Sequence, residues 1–468
     1  MNSTRYVLTI LFVALSGFVM LSDFSAFSVA IPSLAHQPGI TPEALSLIGP
    51  VSSVMFASFL IFGGRLIDLY GPVRTCAAGM LLYLIGAVLA ASAQGAIMLF
   101  AARALQGFSF ALLGPAGFSI INSGLPEGPI RDRGLGIYAG AQGAAMIAGS
   151  VLGGTITTYF GWRVIFLMNL PWVVLTLALA WILLRREPER TQAGSMDLVG
   201  SLLIAASTAL LIWSLTMAGQ IGWHSVQVPL TLGLAILGYV IFVVYERSLE
   251  HPLVPPAIFR NKRMIANMLA TIGIMIAAAA MFILPNMYMQ QVMGYSAAKS
   301  GFGMLPQALT NITTGGILAY AIGRFSFRQN MTIASVVYVT GLSLFLILPI
   351  LLPHAGYALV VGVPLVLSSF GGPFGAFAIL ANCTARSPAS QRGIVTSVVM
   401  SSQQIGLALG VALVLTIAAS GDALGAAPVT TLRYGYLACL GAALLGALCG
   451  MGAGKGTHAS EQPASVAL

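Results

Sequence analysis

Gly64-Arg65-Leu66-Ile67-Asp68-Leu69-Tyr70-Gly71-Pro72-Val73-Arg74 is a short charged stretch between two long apolar ones. Residues 45–67 before it and 74–93 after it are apolar runs of the length, about 20 residues, that an α-helix needs to cross a bilayer core. The two glycines permit a tight turn between the runs. The acid and the bases can clamp the helix ends on the inner face. A membrane hairpin is thus the first element read, with Gly64, Arg65, Asp68, Gly71 and Arg74 as candidate gating residues.

Composition extends that reading to the whole chain. Of 468 residues, 58% are hydrophobic and 7% are charged; a soluble globular domain is about a quarter charged. The solvent for so much apolar surface is lipid. The net charge of +9 comes from 21 Lys and Arg scattered along the chain. No basic run carries interleaved aromatics, so no nucleic-acid partner is expected. Cys76, Cys383, Cys439 and Cys449 form no CxxC pair, and neither a disulfide framework, a metal site nor a cofactor is expected. Arg5 precedes an apolar run too long for a signal peptide, which is read as the first membrane helix.

Fourteen spans follow: 6–30, 45–67, 74–93, 97–122, 134–159, 164–184, 198–219, 226–245, 264–288, 300–323, 331–352, 357–381, 393–420 and 432–451. The basic residues test this count. With the N-terminus inside, Arg5, Arg65, Arg74, Arg131, Arg133, Arg247, Arg263, Arg324, Arg386, Arg392 and Lys455 all fall in cytoplasmic segments. The outer loops hold Arg163, Lys299 and Arg433. That asymmetry is what the positive-inside rule expects, and a miscounted helix would invert every later loop. The longest inner linkers, 185–197 and 246–263, divide the spans into six, two and six. The predicted fold is an all-α integral membrane protein of two six-helix bundles, 1–190 and 251–468, with a two-helix insert at 191–250. Gly149-Ser150-Val151-Leu152-Gly153 in the fifth span and Gly406-Leu407-Ala408-Leu409-Gly410 in the thirteenth are matching GxxxG patterns. Such patterns let helix backbones pack closely.

Few charges remain inside the spans. Asp23 lies in the outer half of the first, and Arg103 at similar depth in the fourth. An ionisable residue in the bilayer is expensive and marks function by default. Two readings stay open: a titratable carboxylate tuned by a nearby cation, or a static ion pair locking two helices. Gln106, Asn286, Asn311, Gln403 and Gln404 are candidate linings of a substrate path; interhelical hydrogen bonding is the other reading of each. Trp213, Trp223 and Tyr295, near outer span ends, read as interfacial anchors. Gly454-Lys455-Gly456-Thr457 lacks the upstream Gly and the Ser/Thr after Lys that a phosphate loop needs.

These stretches together resemble the major facilitator superfamily. The opening loop is similar to its GxxxDRxGRR signature, and Arg103-Ala104-Leu105-Gln106-Gly107 to RxxQG of the fourth helix. Gly149-Ser150-Val151-Leu152-Gly153-Gly154 resembles the GPxxGG antiporter motif, and Gly161-Trp162-Arg163-Val164-Ile165-Phe166-Leu167-Met168-Asn169-Leu170-Pro171 the WRxxFxxNxP segment. The run from Leu21 to Pro32 is similar to LDxTxxNxALP of the fourteen-span drug:proton antiporters. The departures are specific. Leu69 replaces the Arg after the acid, Pro72 and Val73 replace the basic pair, and Ser150 replaces the antiporter Pro. The second-half copy, Gly323-Arg324-Phe325-Ser326-Phe327-Arg328, carries no acid.

The resemblance implies alternating-access export of small amphiphilic molecules against protons, from the inner membrane, with both termini cytoplasmic. Asp23 and Arg103 would couple the proton, and Gly149, Gly153 and Gly154 would pack the antiporter helix. Symport or uniport is the alternative within transport. A membrane enzyme or receptor is the competing class, and no span offers a nucleophile with its base. The expected partners are lipid, substrate and protons. Whether a periplasmic adaptor extends the route is left open.

Overall fold

The structure is a computed structural model describing residues 3–34, 37, 40–126, 128–184, 197–223, 225–249, 252–254, 258, 260–295, 297–352, 355–388, 391–423 and 428–453. The linker segment 185–196 and the tail with Lys455 lie outside the described residues.

The long helices, in chain order, are α1 (Ser3–Leu34), α2 (Pro42–Tyr70), α3 (Pro72–Ala91), α4 (Ala96–Gly124), α5 (Pro129–Phe160), α6 (Leu170–Leu184), α7 (Leu198–Ile221), α8 (Gln227–Glu246), α9 (Lys262–Gln291), α10 (Leu305–Arg324), α11 (Phe327–Leu351), α12 (Val363–Ala385), α13 (Arg392–Ala423) and α14 (Pro428–Ala453). A 3-10 turn, Trp162–Phe166, leads into α6, and a π turn, Ala358–Gly362, into α12. Backbone polar groups in lipid must be satisfied within the segment, which is why apolar runs of this length become helices. Side-chain caps begin several of them. Asp197 Oδ1 accepts from Gly200 N at the start of α7, and Ser326 and Gln329 form a reciprocal capping box on α11.

Among the described residues, thirteen helices are long and apolar enough to cross a membrane. The exception is α10. Its segment carries Gln307, Thr310, Asn311, Thr313 and Thr314, and it packs against α5 rather than facing lipid all round. The expected tenth span, 300–323, is also divided: a short helix, Ala297–Gly303, ends before α10 begins.

The packing repeats. In the first part α1 lies on α5, α2 and α3 on α4, and α6 on α3 and α1. Adding eight to each number gives the contacts of the later part: α9 on α13, α10 and α11 on α12, and α14 on α11 and α9. The GxxxG pairs follow the same rule. A Cβ at Gly149 would collide with the carbonyl oxygen of Ser22, and one at Gly153 would stand 2.7 Å from Ala26 Cα. A Cβ at Gly406 would stand 2.7 Å from Ile272 O, and one at Gly410 would collide with Ile276 O. The fifth helix of each set therefore approaches the first through bare backbone. Across the sets, α2 lies against α13 and α5 against α10. The α7–α8 pair stands beside one seam: α7 touches both α2 and α13, and Ile212 packs with Val54, Ala57 and Ala408. At the end of this pair, Trp223 Nε1 donates to Thr416 Oγ1 on α13 at 2.9 Å.

Candidate functional site

Asp23 on α1 and Arg103 on α4 meet in a site closed to solvent. Arg103 Nη1 lies 2.6 Å from Asp23 Oδ2, and the residues are 1% and 4% exposed. Close backbone packing builds the site: Gly107, one turn after Arg103, leaves room for the Ser52 carbonyl, so α4 lies directly on α2. Ser52 Oγ then accepts from Arg103 Nη2 at 2.8 Å. Gln106, three residues after Arg103 on the same helix face, accepts from Arg103 Nη1 at 2.9 Å and donates to Asp23 Oδ1 at 3.2 Å. Tyr83 of α3 donates to Asp23 Oδ1 at 2.8 Å. Asn169, at the entrance to α6, donates to that hydroxyl at 3.0 Å and accepts from Ser22 at 2.8 Å. The Phe27 ring covers the guanidinium, 4.1 Å from its carbon.

The structure thus brings Asp23, Arg103 and Gln106 into one network with Tyr83, Ser52, Asn169 and Ser22, which the sequence reading did not single out. Asn169 stands in the quoted segment opening the sixth span and could have been flagged. A hydroxyl at Tyr83 or Ser52 gives no comparable signal in an apolar helix. The carboxylate is served by two neutral donors, Tyr83 and Gln106, and by the guanidinium. The guanidinium has a second set of partners in Ser52, Gln106 and Phe27.

The opening loop forms a second cluster at one end of the bundle. Gly71 joins α2 to α3 with φ +92°, a backbone that favours glycine, and Pro72 starts α3. Asp68 is buried, and its carboxylate accepts from the amides of Gly393 at 2.9 Å and Ile394 at 3.1 Å, the first turn of α13. A carboxylate at a helix N-terminus satisfies otherwise unpaired N–H groups and meets the positive end of the helix dipole. Gly64 makes the approach possible, since a Cβ there would strike Ser397 Oγ. Arg392 Nη1 crosses the same seam to Asn122 O at 3.0 Å. The sequence reading had a clamp resting on Asp68, Arg65 and Arg74. Arg65 is half-buried, Arg74 is exposed, and the bonds described for Asp68 go to helix amides.

The antiporter-motif glycines differ from one another. Gly149 and Gly153 contact α1 backbone, whereas a Cβ at Gly154 would meet Val29 Cγ1 at an ordinary 3.4 Å. Ser150, in the motif's proline position, shares a 2.6 Å hydrogen bond with Ser25 of α1. The remaining candidate path residues are dispersed. Asn286 accepts from Ser300 at 2.6 Å, tying α9 to the short helix. Asn311 sits at the α5–α10 seam beside Gly143, with a buried Oδ1 that no donor reaches. Gln403 and Gln404 are half-buried on α13.

The model of the Major Facilitator Superfamily matches residues 13–411, and the chain belongs to that family. It is therefore a secondary transporter, which sets aside the membrane-enzyme reading. The chain is 28% identical to the cephamycin export protein CmcT of Amycolatopsis lactamdurans over 86% of its own length and 83% of that protein's. It is 26% identical to the multidrug resistance protein Stp of Mycobacterium tuberculosis, over 90% and 77% of the two chains. Among solved structures, the proton:xylose symporter XylE superposes with a TM-score of 0.68 at 14% identity, over 96% of this chain and 95% of that one. That likeness concerns the fold.

Proposed function

We propose that the chain exports small amphiphilic molecules in exchange for protons, with Asp23 as the proton carrier. The observation that carries this reading is the double set of partners around Arg103. When a proton neutralises Asp23, the guanidinium keeps Ser52, Gln106 and the Phe27 ring. It is not left as the bare buried charge that makes breaking an ion pair so costly. The pair can therefore cycle, where a static lock would need no substitutes. Protonation takes the charge off Asp23, so α1 and α4 can rearrange without enclosing an unpaired carboxylate. The similarity to a cephamycin exporter and a multidrug resistance protein points to export of drug-like compounds.

Asp68 is the second working residue. On the orientation set by the basic loops, its end of the bundle is cytoplasmic, and its bonds to α13 hold the cytoplasmic seam closed. Opening toward the cytoplasm requires those bonds to part. The proposed layout is fourteen spans as six, two and six, with both termini inside. The eight-step repeat of contacts supports it, as does the basic-residue asymmetry. In a strain stripped of its own pumps, expression should raise resistance to part of a panel of amphiphilic drugs. The same compounds should accumulate in everted vesicles when respiration acidifies their interior. An unaltered panel together with inward accumulation by intact cells would reverse the direction. A cysteine at Gln192 or Glu250 should be labelled only after the membrane is opened.

A further inference from the structure

Asp197 and Glu246 form a carboxyl pair far along the chain from Asp23, at the foot of the α7–α8 pair. Glu246 is the last residue of α8 and is 5% exposed. Asp197 precedes α7, and the two carboxyl groups face each other across Gly200. A Cβ added there would collide with Asp197 Oδ2 and lie 2.7 Å from Glu246 Oε1. The outer oxygens are served. Gly200 N and the Tyr245 hydroxyl donate to Asp197 Oδ1 at 2.9 and 3.2 Å, and Val254 N donates to Glu246 Oε2 at 3.3 Å. The facing oxygens are not: Asp197 Oδ2 and Glu246 Oε1 are both buried, and no donor reaches either.

Two buried acceptors turned toward one another, with no donor between them, are unstable as a pair of carboxylates. Like charges at this separation repel, and each oxygen lacks the hydrogen bond that burial demands. One proton removes both defects, because one carboxyl then becomes a donor to the other. Tyr245 is the titratable neighbour on α8, and Arg247, the next residue, is exposed. Among the described residues, α2 and α13, which pack on α7, bring no basic side chain into hydrogen-bonding contact with either acid.

We propose that Asp197 and Glu246 are a second proton-binding site that holds one shared proton per chain. The proton-bound pair fastens the start of α7 to the segment at Val254 that leads toward α9. Release of the proton to water leaves two carboxylates and parts that fastening. Because α7 touches both α2 and α13, the occupancy of this site biases the seam that Asp68 closes.

The test is infrared difference spectroscopy on the full-length Asp23→Asn protein in lipid nanodiscs, titrated with acid and base. Removing Asp23 separates this site from the proposed coupling residue, so either can fail alone. The expected result is a protonated-carboxyl stretch that shifts in heavy water and fades as the pH rises. Its amplitude should correspond to one group per chain, and Glu246→Gln or Asp197→Asn should abolish it. If those variants do not fold, the band must still appear in the parent and be indifferent to sodium or potassium at fixed pH. Absence of the band, its survival in both variants, or its suppression by either cation would overturn the proposal.

Discussion

Arg103 is solvated by its neighbours alone: Asp23, Gln106, Ser52 and the face of Phe27. Arg103→Ala leaves a buried carboxylate with its donors and no cation, and removing one partner of a buried pair is strongly destabilising. Gradient-driven export should therefore fall sharply at matched expression, as read from uphill flux with the proton gradient imposed. Tyr83→Phe removes one donor to Asp23 and one acceptor for Asn169. A hydrogen bond to a charged group contributes about 1.5–3 kcal/mol. Tyr83→Phe should thus weaken uphill export less than Arg103→Ala does, at matched expression and with the fold intact by circular dichroism. The two charges were legible in the sequence because a charge in an apolar span is rare. Tyr83 and Ser52 were not, because a hydroxyl in such a span usually bonds its own helix, as Ser58 does to Val54 O.

The contact of α5 with α1 separates glycines that the sequence groups together. Gly149→Ala places a methyl against the Ser22 backbone, and the helices must part; overpacking of this kind costs about 1–3 kcal/mol. Gly154→Ala adds an ordinary contact with Val29 and should stay within about 0.5 kcal/mol. Export should fall sharply in the first and persist in the second at matched expression. The GxxxG spacing was legible, but which glycine touches backbone depends on the rotation of α5, which the motif does not encode. Asp68 shows the same limit. Its acid was readable, but its partners begin 325 residues later. Asp68→Asn removes the charge from the α13 N-terminus, an interaction of about 0.3–2 kcal/mol. A cysteine replacing the buried Ser397 should then react faster with reagents added from the cytoplasmic side.

The two sets of six helices share their contacts but not their charges. Asp68 at the end of α2 seats on α13, while the corresponding end of α10 carries Arg324, which bonds Tyr320. Beside that second seam is a cavity of about 220 Å³ lined by Asn122, Arg131, Asp132, Phe325, Asn330 and Arg386. The missing acid was visible as a departure in Gly323-Arg324-Phe325-Ser326-Phe327-Arg328. Long apolar helices were legible because bilayer thickness sets their length: thirteen stand among the described residues against fourteen expected spans. The polarity of α10 was not weighed, since its polar side chains become tolerable only once α5 lies beside them. The coupling proton is proposed to sit in the first set, at Asp23. The most direct test is efflux against a concentration gradient in everted vesicles, with a proton gradient imposed and then collapsed. The unsubstituted protein should concentrate substrate only while the gradient stands, and Asp23→Asn should bind substrate yet only equilibrate it; full uphill transport by Asp23→Asn would contradict the account.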